Sequence, residues 1–490
     1  MEAGQEKTIA LSENEQNVFK ILLGCVDHFK LDLTVRAAGG WVRDKLLGLE
    51  SDDIDIVVDK LAGEDFAHKV GQYMAETAQP GCSRIGVVKQ NPDQSKHLAT
   101  ACFSINGISL DVNHLRTETY CSESRIPSQI SIGTASEDAH RRDFTINALF
   151  YNLRDGVVED FIGTGREDLR SGLIRTPLLA RETFKDDPLR ILRAVRFAAR
   201  LGYRVDEAIL EAARDSEIAQ LLFTKVSRER IGLEIDKMFT AGGLRPVKAV
   251  DLLQTMGLLN RIFSPKDMLT GAGDKLPEEL TVGIARAGLV VELLGPAVAT
   301  RPELRLAVFA ALLSPLHRHH YKEKSKQRSL IHGLLRVGLR LPNDVSELVP
   351  SLVNSAYGLK SLTSAADVER RRGTGEQLRL VRENWRIALA LSVALRAHPP
   401  TGAGDAAEAD ALAPSEIFEQ QKQWIEDAGL VGCWEWRPFL DGKRLMDPPF
   451  NVPKGKRVGS LIEMQIRWRL EDPSVDEAVC QRRLLEEAAA

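Results

Sequence analysis

Ala37-Ala38-Gly39-Gly40-Trp41-Val42-Arg43-Asp44-Lys45-Leu46-Leu47-Gly48, with Asp52-Asp53-Ile54-Asp55-Ile56 close behind it, is the stretch on which the reading of this chain turns. An apolar run leads into a glycine pair, and the pattern then predicts a helix from about Trp41 to Leu47, ended by Gly48 in the left-handed conformation. A glycine pair at a strand-to-helix turn lets backbone N–H groups approach a phosphate closely. Arg43, one turn into the helix, adds a fork of charged donors. Gly39, Gly40 and Arg43 are therefore candidate phosphate contacts. The alternation from Ile54 to Val58 predicts a half-buried strand, with Asp53 and Asp55 on one face and Ile54, Ile56 and Val58 on the core side. Two neighbouring carboxylates repel unless a cation lies between them, and such hard oxygen donors suit Mg²⁺ that is also held by substrate phosphates. Two such ions ~3.5–4 Å apart activate an attacking hydroxyl and stabilise a leaving oxygen. Asp111, on a second predicted strand from Ile108 to Val112, faces away from Leu110 and is a candidate third ligand. Alone, a DxD strand also fits a solvated face and a Gly-Gly pair a plain turn; the combination at this spacing is far more specific.

Two further constellations follow. The run His140 to Tyr151 starts polar and becomes apolar, and Ile146, Leu149 and Phe150 at helical spacing place Arg141-Arg142-Asp143 near a predicted helix start. One reading is a capping group with solvated arginines. The other has Arg142 donating to a triphosphate while Asp143 and Asn147 orient the sugar of a nucleotide. From Asp186-Asp187-Pro188 to Gly202 the pattern predicts a helix with Ile191, Leu192, Val195, Ala198 and Ala199 on one side and Arg190, Arg193, Arg196 and Arg200 on the other. A surface helix with a basic face fits this pattern too. The functional reading is sharper. Asp187 and Arg190, three apart, are expected to be neighbours on the helix and to offer an acceptor beside donors. Cytosine and adenine both present an exocyclic amine next to a ring-nitrogen acceptor, whereas uracil and guanine present a ring N–H next to a carbonyl. An Asp–Arg pair matches the first two and leaves polar groups unpaired against the others.

Around these motifs, 490 residues allow two to four domains at ~100–200 residues each. A composition of 43% hydrophobic and 27% charged residues excludes a collagenous, wholly disordered or integral membrane chain, and no apolar run nears the ~18–20 residues that span a bilayer. The net charge of −4 argues at first sight against a nucleic-acid partner, but charge is uneven: residues 301–340 carry +7 and residues 401–430 carry −6. Cys25, Cys82, Cys102, Cys121, Cys433 and Cys480 are sparse and form no CxxC pair, which fits a reducing compartment and disfavours a cysteine zinc site. Glu2, Glu6, Glu13 and Glu15 against Lys7 and Lys20 resemble neither a transit peptide nor a secretory signal. The expected compartment is the cytoplasm, with a nuclear or organellar destination left open. Residues 30–175 mix strand and helix patterns, residues 180–396 are almost wholly helical in pattern, a Pro/Gly/Ala/Asp-rich stretch at 398–414 is a predicted linker, and no fixed-period repeat occurs. His317, His319 and His320 raise a metal phosphohydrolase as an alternative, but no HD dipeptide accompanies them and a polar turn within the basic block is the plainer reading.

These motifs together resemble the CCA-adding enzymes, the tRNA nucleotidyltransferases of the class shared by bacteria and eukaryotes, in a eukaryotic-like form. The resemblance lies in Gly39–Gly48 with Asp52–Asp55, Ser124–Phe144 running into Arg141–Asn152, Asp160–Leu169, Asp186–Tyr203 and Ser227–Met238. It continues in Ser314–Lys326, Leu440–Met446 and Gly455–Pro473. It is strong and ordered over residues 30–260 and patchy to about 480. It implies an α+β fold: a nucleotidyltransferase head with a small, mostly antiparallel or mixed sheet, followed by all-helical neck, body and tail. The corresponding limits are an N-terminal extension at 1–29, head 30–175, neck 176–260, body 261–397, linker 398–414 and tail 415–490. It implies template-independent addition of C, C and A to tRNA 3′ ends from CTP and ATP, with Mg²⁺ on Asp53 and Asp55 and a less definite role for Asp111. Gly40 and Arg43 would contact the triphosphate, and Arg142, Asp187, Arg190, Arg193 and Arg196 would form the nucleotide pocket. The tRNA would be held at its 3′ end and acceptor stem or elbow, with no membrane partner. Where the family has Glu-Asp, this chain has Asp186-Asp187. A poly(A) polymerase of the same superfamily, a CC-only or A-only enzyme, and an RNA-binding protein with a dead site are the competing readings; retention of Asp53, Asp55, Arg43, Asp187 and Arg190 together argues against the last.

Overall fold

The computed structural model describes residues 9–51, 53–79, 86–88, 100–120, 127–240, 245–264, 279–295, 301–323, 326–363, 365–399 and 412–489. They divide into two compact units: residues 1–238 with 252–258, and residues 239–251 with 259–490.

The first unit opens with α1 (Glu13–His28), whose start is closed by a capping box: Ser12 Oγ accepts from the Glu15 N–H and the Glu15 carboxylate accepts from the Ser12 N–H. The buried Glu15 also accepts from Trp41 Nε1 at 3.0 Å and pairs with Lys45 Nζ at 2.9 Å. Through one carboxylate α1 is thus tied to α2 (Gly40–Leu46), the helix that follows the glycine pair.

The sheet that carries α2 has seven strands: β1 (Val35–Ala38), β2 (Asp53–Val58), β3 (Gly86–Val88), β4 (Thr100–Ile105), β5 (Ile108–His114), β8 (Leu149–Asn152) and β9 (Val157–Asp160); β6 (Arg116–Tyr120) and β7 (Pro127–Ile132) form a separate hairpin. The order is β3-β4-β5-β2-β1-β8-β9. Only β2 and β5 run parallel, so the sheet is mixed and mostly antiparallel. Their register sets Asp55 beside Asp111, while Ala38 at the end of β1 lies between Asp55 and Phe150. α3 (Gly63–Glu76) returns the chain between β2 and β3. It packs so closely on β5 that a Cβ at Gly63 would stand 2.6 Å from the Val112 carbonyl oxygen.

The Arg-Arg-Asp segment departs from the expected helix start. It follows the end of α4 (Ala135–His140), and the apolar residues after it make a 3₁₀ turn at Thr145–Asn147 and then β8. Leu149 and Phe150, and Tyr151 almost so, are buried as consecutive residues of an interior strand, where alternation is lost and helical spacing arises by coincidence. After α5 (Gly165–Ser171) and α6 (Ala180–Asp186), α7 (Leu189–Leu201) runs as the arginine pattern predicts, ended by Gly202 at φ 77°. Its apolar side, Ile191, Leu192, Val195, Ala198 and Ala199, is fully buried.

The second unit is built on the helices Glu279–Leu294, Arg301–Leu313, Asn343–Ser361 and Trp385–Ala397. The fully buried Arg286 donates to the His398 carbonyl and to Ser314 Oγ, closing the end of the helix Trp385–Ala397. The predicted linker is therefore ordered at both margins, with His398 bonded and Pro414 opening the helix Pro414–Asp427; residues 400–411 lie outside the described residues. The all-helical expectation is broken by a hairpin, His320–Glu323 with Lys326–Ser329. The histidine cluster is dispersed by it: His317 stacks on Tyr357 with centroids 3.6 Å apart, and His320 is an exposed strand residue. Burial and the Arg318 charge hold His317 down to about 4, so it is a neutral packing ring. Near the C-terminus Gln465, fully buried, both donates to and accepts from the backbone of Leu440 within an apolar cluster around Leu445, Leu461 and Leu484.

Candidate active site

A cavity of about 480 Å³ opens in the first unit. Among the described residues its lining includes eight arginines, Arg43, Arg116, Arg141, Arg142, Arg190, Arg193, Arg196 and Arg200, against three acids, Asp55, Asp143 and Asp187. Gly39, Gly40 and Asn147 complete the set of expected residues on this wall. Asp53 and Asp111 flank Asp55 without lining the cavity: Asp53 lies two residues along β2 on the same face, and Asp111 lies opposite in register on β5.

Gly39 is what brings phosphate donors and carboxylate together. It sits at φ 70°, and a Cβ there would meet Arg142 Nη1 at 2.8 Å and Asp55 Oδ2 at 3.8 Å. Both the backbone angle and the space demand glycine. Asp55 faces the cavity from a crowded wall. Desolvation raises its carboxyl above the usual range; the Arg142 charge opposes this, and Asp111 and Asp53 add to it. A carboxylate destabilised by two like neighbours is one that a cation relieves. Among the described residues no three His, Cys, Asp or Glu side chains converge into a metal cage. A hard cation such as Mg²⁺ is usually held by one or two protein carboxylates, with its other oxygens from phosphate and water.

Each arginine of the wall is held from behind. Arg43 lays its fork on Asp44 (2.8 and 2.9 Å) and donates from Nη1 to Asn147 Oδ1 at 2.5 Å. Its guanidinium is thus an oriented wall of the pocket, not a loose fork. Arg200 shares Asp44 at 3.2 Å. Arg142 is clamped by Asp138 through Nε and Nη2 (3.0 and 2.9 Å) and donates to the Asn147 carbonyl; Arg141 binds the other oxygen of Asp138. Arg196 pairs with Glu234 at 2.7 Å. Arg43, Arg193 and Arg196 all stand 4.5–5.5 Å from the Phe197 ring centroid. These partners lower the mutual repulsion of the cations and lock their rotamers, while the surface facing the cavity stays strongly positive. Such a surface is preorganised for a polyphosphate.

Asp143 shows the balance most clearly. Burial alone raises its carboxyl, but the Arg193 guanidinium at 2.7 Å, the Asn147 amide and the nearby Arg190 charge pull it down to about 2. Its folded value lies below the unfolded one of ~3.9, so its contribution to stability is present above about pH 4 and lost as the pH falls toward about pH 2. Thermal melts of Asp143→Asn are expected to lose less stability than wild type across that acid interval; superimposable acid profiles would show that Asp143 carries no such term.

Asp187 and Arg190 share the cavity wall but not a helix turn. Asp187 stands just outside α7 in extended backbone, and its Oδ1 accepts from the Leu189 N–H at 3.1 Å. One oxygen therefore caps the helix, leaving Oδ2 for a ligand. Arg190 spends Nη2 on the Arg141 carbonyl at 2.6 Å, which fixes the guanidinium while Nε and Nη1 remain. The sequence reading missed several residues of the site. Asn113 was findable, since it shares the strand face of Asp111, and Phe197 lies on the α7 stretch already singled out. His114 and Arg116 gave no motif signal, and Asp44, Asp138 and Glu234 act only through the arginines they hold.

Comparison with known proteins agrees with this geometry. Residues 35–175 match the family model described as the poly A polymerase head domain. Over 95% of this chain and 91% of its own length, the mitochondrial CCA tRNA nucleotidyltransferase of Saccharomyces cerevisiae is 32% identical to it. The chain belongs to the CCA tRNA nucleotidyltransferase family. A tRNA nucleotidyltransferase of Schizosaccharomyces pombe is 31% identical over 96% of this chain and 98% of its own. The family fold extends to bacteria: the Thermotoga maritima CCA-adding enzyme, solved in complex with tRNA, superposes with a TM-score of 0.62 at 19% identity, covering 99% of this chain and 98% of that one. This CCA tRNA nucleotidyltransferase family member has, among its described residues, no helix long and apolar enough to cross a membrane.

Proposed function

We propose that this chain adds C, C and A stepwise, without a template, to the 3′ end of tRNA from CTP and ATP. The observation that carries the reading is one arginine-walled cavity lined by both Asp55 and the pair Asp187 and Arg190, so that metal ligand, triphosphate donors and base reader face a single nucleotide. The full-length relatives named for this activity support it.

In this reading the 3′-hydroxyl of the tRNA attacks the α-phosphorus, the bond to the bridging oxygen breaks and pyrophosphate leaves. Arg43, Arg142, Arg193 and Arg196, with the N–H groups after Gly39, neutralise the triphosphate. Asp143 and Asn147, already joined at 3.0 Å, present a polar edge to the sugar. Asp53 and Asp55 would hold Mg²⁺, with Asp111 as a neighbouring charge or third ligand. When bound, Mg²⁺ supplies charge stabilisation for the attacking and leaving oxygens. The residues' own share is positioning: rigid donors set at fixed angles cost no reorganisation as charge moves to the pyrophosphate. The helical regions after the head receive the tRNA acceptor stem or elbow. An organellar location alongside the cytoplasmic one is proposed on the mitochondrial name of the yeast relative.

The test is incubation with tRNA lacking its terminus, Mg²⁺, and labelled CTP and ATP, resolved at one-base steps. The expected product is three nucleotides longer and stops. A long A run would mark a poly(A) polymerase, two C residues or a lone A a partial enzyme, and no incorporation would overturn the reading.

A further inference from the structure

The hairpin His320–Glu323 with Lys326–Ser329 contributes nothing to the lining of the arginine cavity, yet its charge is sorted with care. Cross-strand partners share a face. Tyr321 opposite Arg328 and Glu323 opposite Lys326 make the inner face; His320 opposite Ser329 and Lys322 opposite Gln327 make the outer one. Tyr321, 5% exposed, anchors the inner face in the core. Arg328 ion-pairs with Glu323 at 2.6 Å and with Glu347 of the helix Asn343–Ser361 at 3.7 Å. The one acid of the hairpin strands is thereby consumed on the inside.

The outer face keeps Lys322, His320 and Gln327, with exposed Arg318 at its base; Lys326, exposed at the tip, belongs to the inner face. Among the described residues no carboxylate comes within ion-pair distance of Arg318, Lys322 or Lys326. In a chain whose net charge is −4, residues 318–328 carry five Lys/Arg and a single acid. This row of cations has no carboxylate partner among the described residues, and its one aromatic ring, His320, gives little with which to discriminate bases. It fits a polyanion whose charge repeats regardless of sequence.

We propose that the outer face of this hairpin, Lys322 with Arg318 beside it, is a sequence-independent contact for the sugar–phosphate backbone of the tRNA. This rests on the reading of tRNA as the substrate and adds to it a site on the second unit. Such a contact suits an enzyme that takes every tRNA alike.

The test is the full-length double variant R318E/K322E, measured for tRNA binding across a salt series and separately for CTP incorporation at saturating tRNA. Affinity should fall about tenfold near ~0.1 M salt and the log–log salt slope should become shallower by about 1.5–2, as expected for two lost phosphate contacts. Incorporation at saturation should be unchanged. The neutral R318Q/K322Q should show the same slope change with a smaller loss of affinity, and both should melt like wild type. Unchanged affinity and slope would overturn the proposal. So would weaker binding with an unchanged slope, which signals damage instead of lost phosphate contacts. If wild type binds tRNA but incorporates nothing, the transfer reading fails while the binding arm still judges the hairpin.

Discussion

Replacing Asp55 by alanine is expected to lower nucleotide incorporation by at least about 10³-fold while tRNA affinity stays within about twofold, because the group removed acts on charge that develops only during transfer. Asp55 is singled out from its neighbours by position. It is the member of the Asp53, Asp55 and Asp111 set that lines the cavity, and its register places it between Ala38 and Asp111, directly beneath Gly39 and Arg142. Without its carboxylate, Arg142 loses a countercharge and a bound Mg²⁺ would lose one of its protein ligands. Asp53→Ala should give a loss of the same kind. The arginines offer a contrast: eight share the wall, so removing one leaves the field largely in place and should cost far less. Single-turnover rates with prebound tRNA check this, and a rate for Asp55→Ala within tenfold of wild type would remove the metal assignment.

The site was legible in the sequence where chemistry is carried by contiguous residues. The Gly39-Gly40 turn, the alternation over Asp53–Val58 and the arginine stripe of α7 each announce themselves through a local period, and each takes the predicted form. Two things were not legible. One is β8: as an interior strand paired on both sides, it has lost the alternation that marks a strand, and its apolar residues mimic a helix face. The other is the layer of carboxylates behind the arginines. Asp44 adjoins Arg43 in sequence, but Glu234 reaches Arg196 across 38 residues, and Asp143 reaches Arg193 across 50. No period or spacing encodes such a pairing, which exists only once tertiary structure has brought the helices together. The net charge of −4 misled for a related reason: a sum over the chain does not show where charge sits, and it conceals surfaces such as the cavity wall that remain positive.

The second large effect is expected at Asp187, where the geometry separates two jobs within one carboxylate. Oδ1 caps α7 through the Leu189 N–H, and Arg190 is fixed by the Arg141 carbonyl; in the proposed reading Oδ2 accepts from an exocyclic amine and Arg190 donates to the adjacent ring nitrogen. Asp187→Asn can keep the cap, since its amide oxygen still accepts from Leu189, but it turns the other position from acceptor to donor. The amine of C or A then meets an N–H, and two donors face one another without water between them. A buried mismatch of this sort is what gives polar sites their discrimination, up to about 10⁴–10⁵-fold in favourable cases. The variant should therefore lose about 10²–10³-fold in kcat/KM for CTP and for ATP together. UTP should improve only slightly, because the unchanged Arg190 still opposes the ring N–H of uracil. The parallel loss is the decisive feature: a single acceptor–donor pair that reads both nucleotides cannot fail for one and not the other. Rates of each of the four nucleotides on matched tRNA ends, with a thermal melt to confirm that α7 remains capped, measure it directly. If CTP use collapses while ATP use is untouched, the two bases are read by different groups and Asp187 with Arg190 is not the selector.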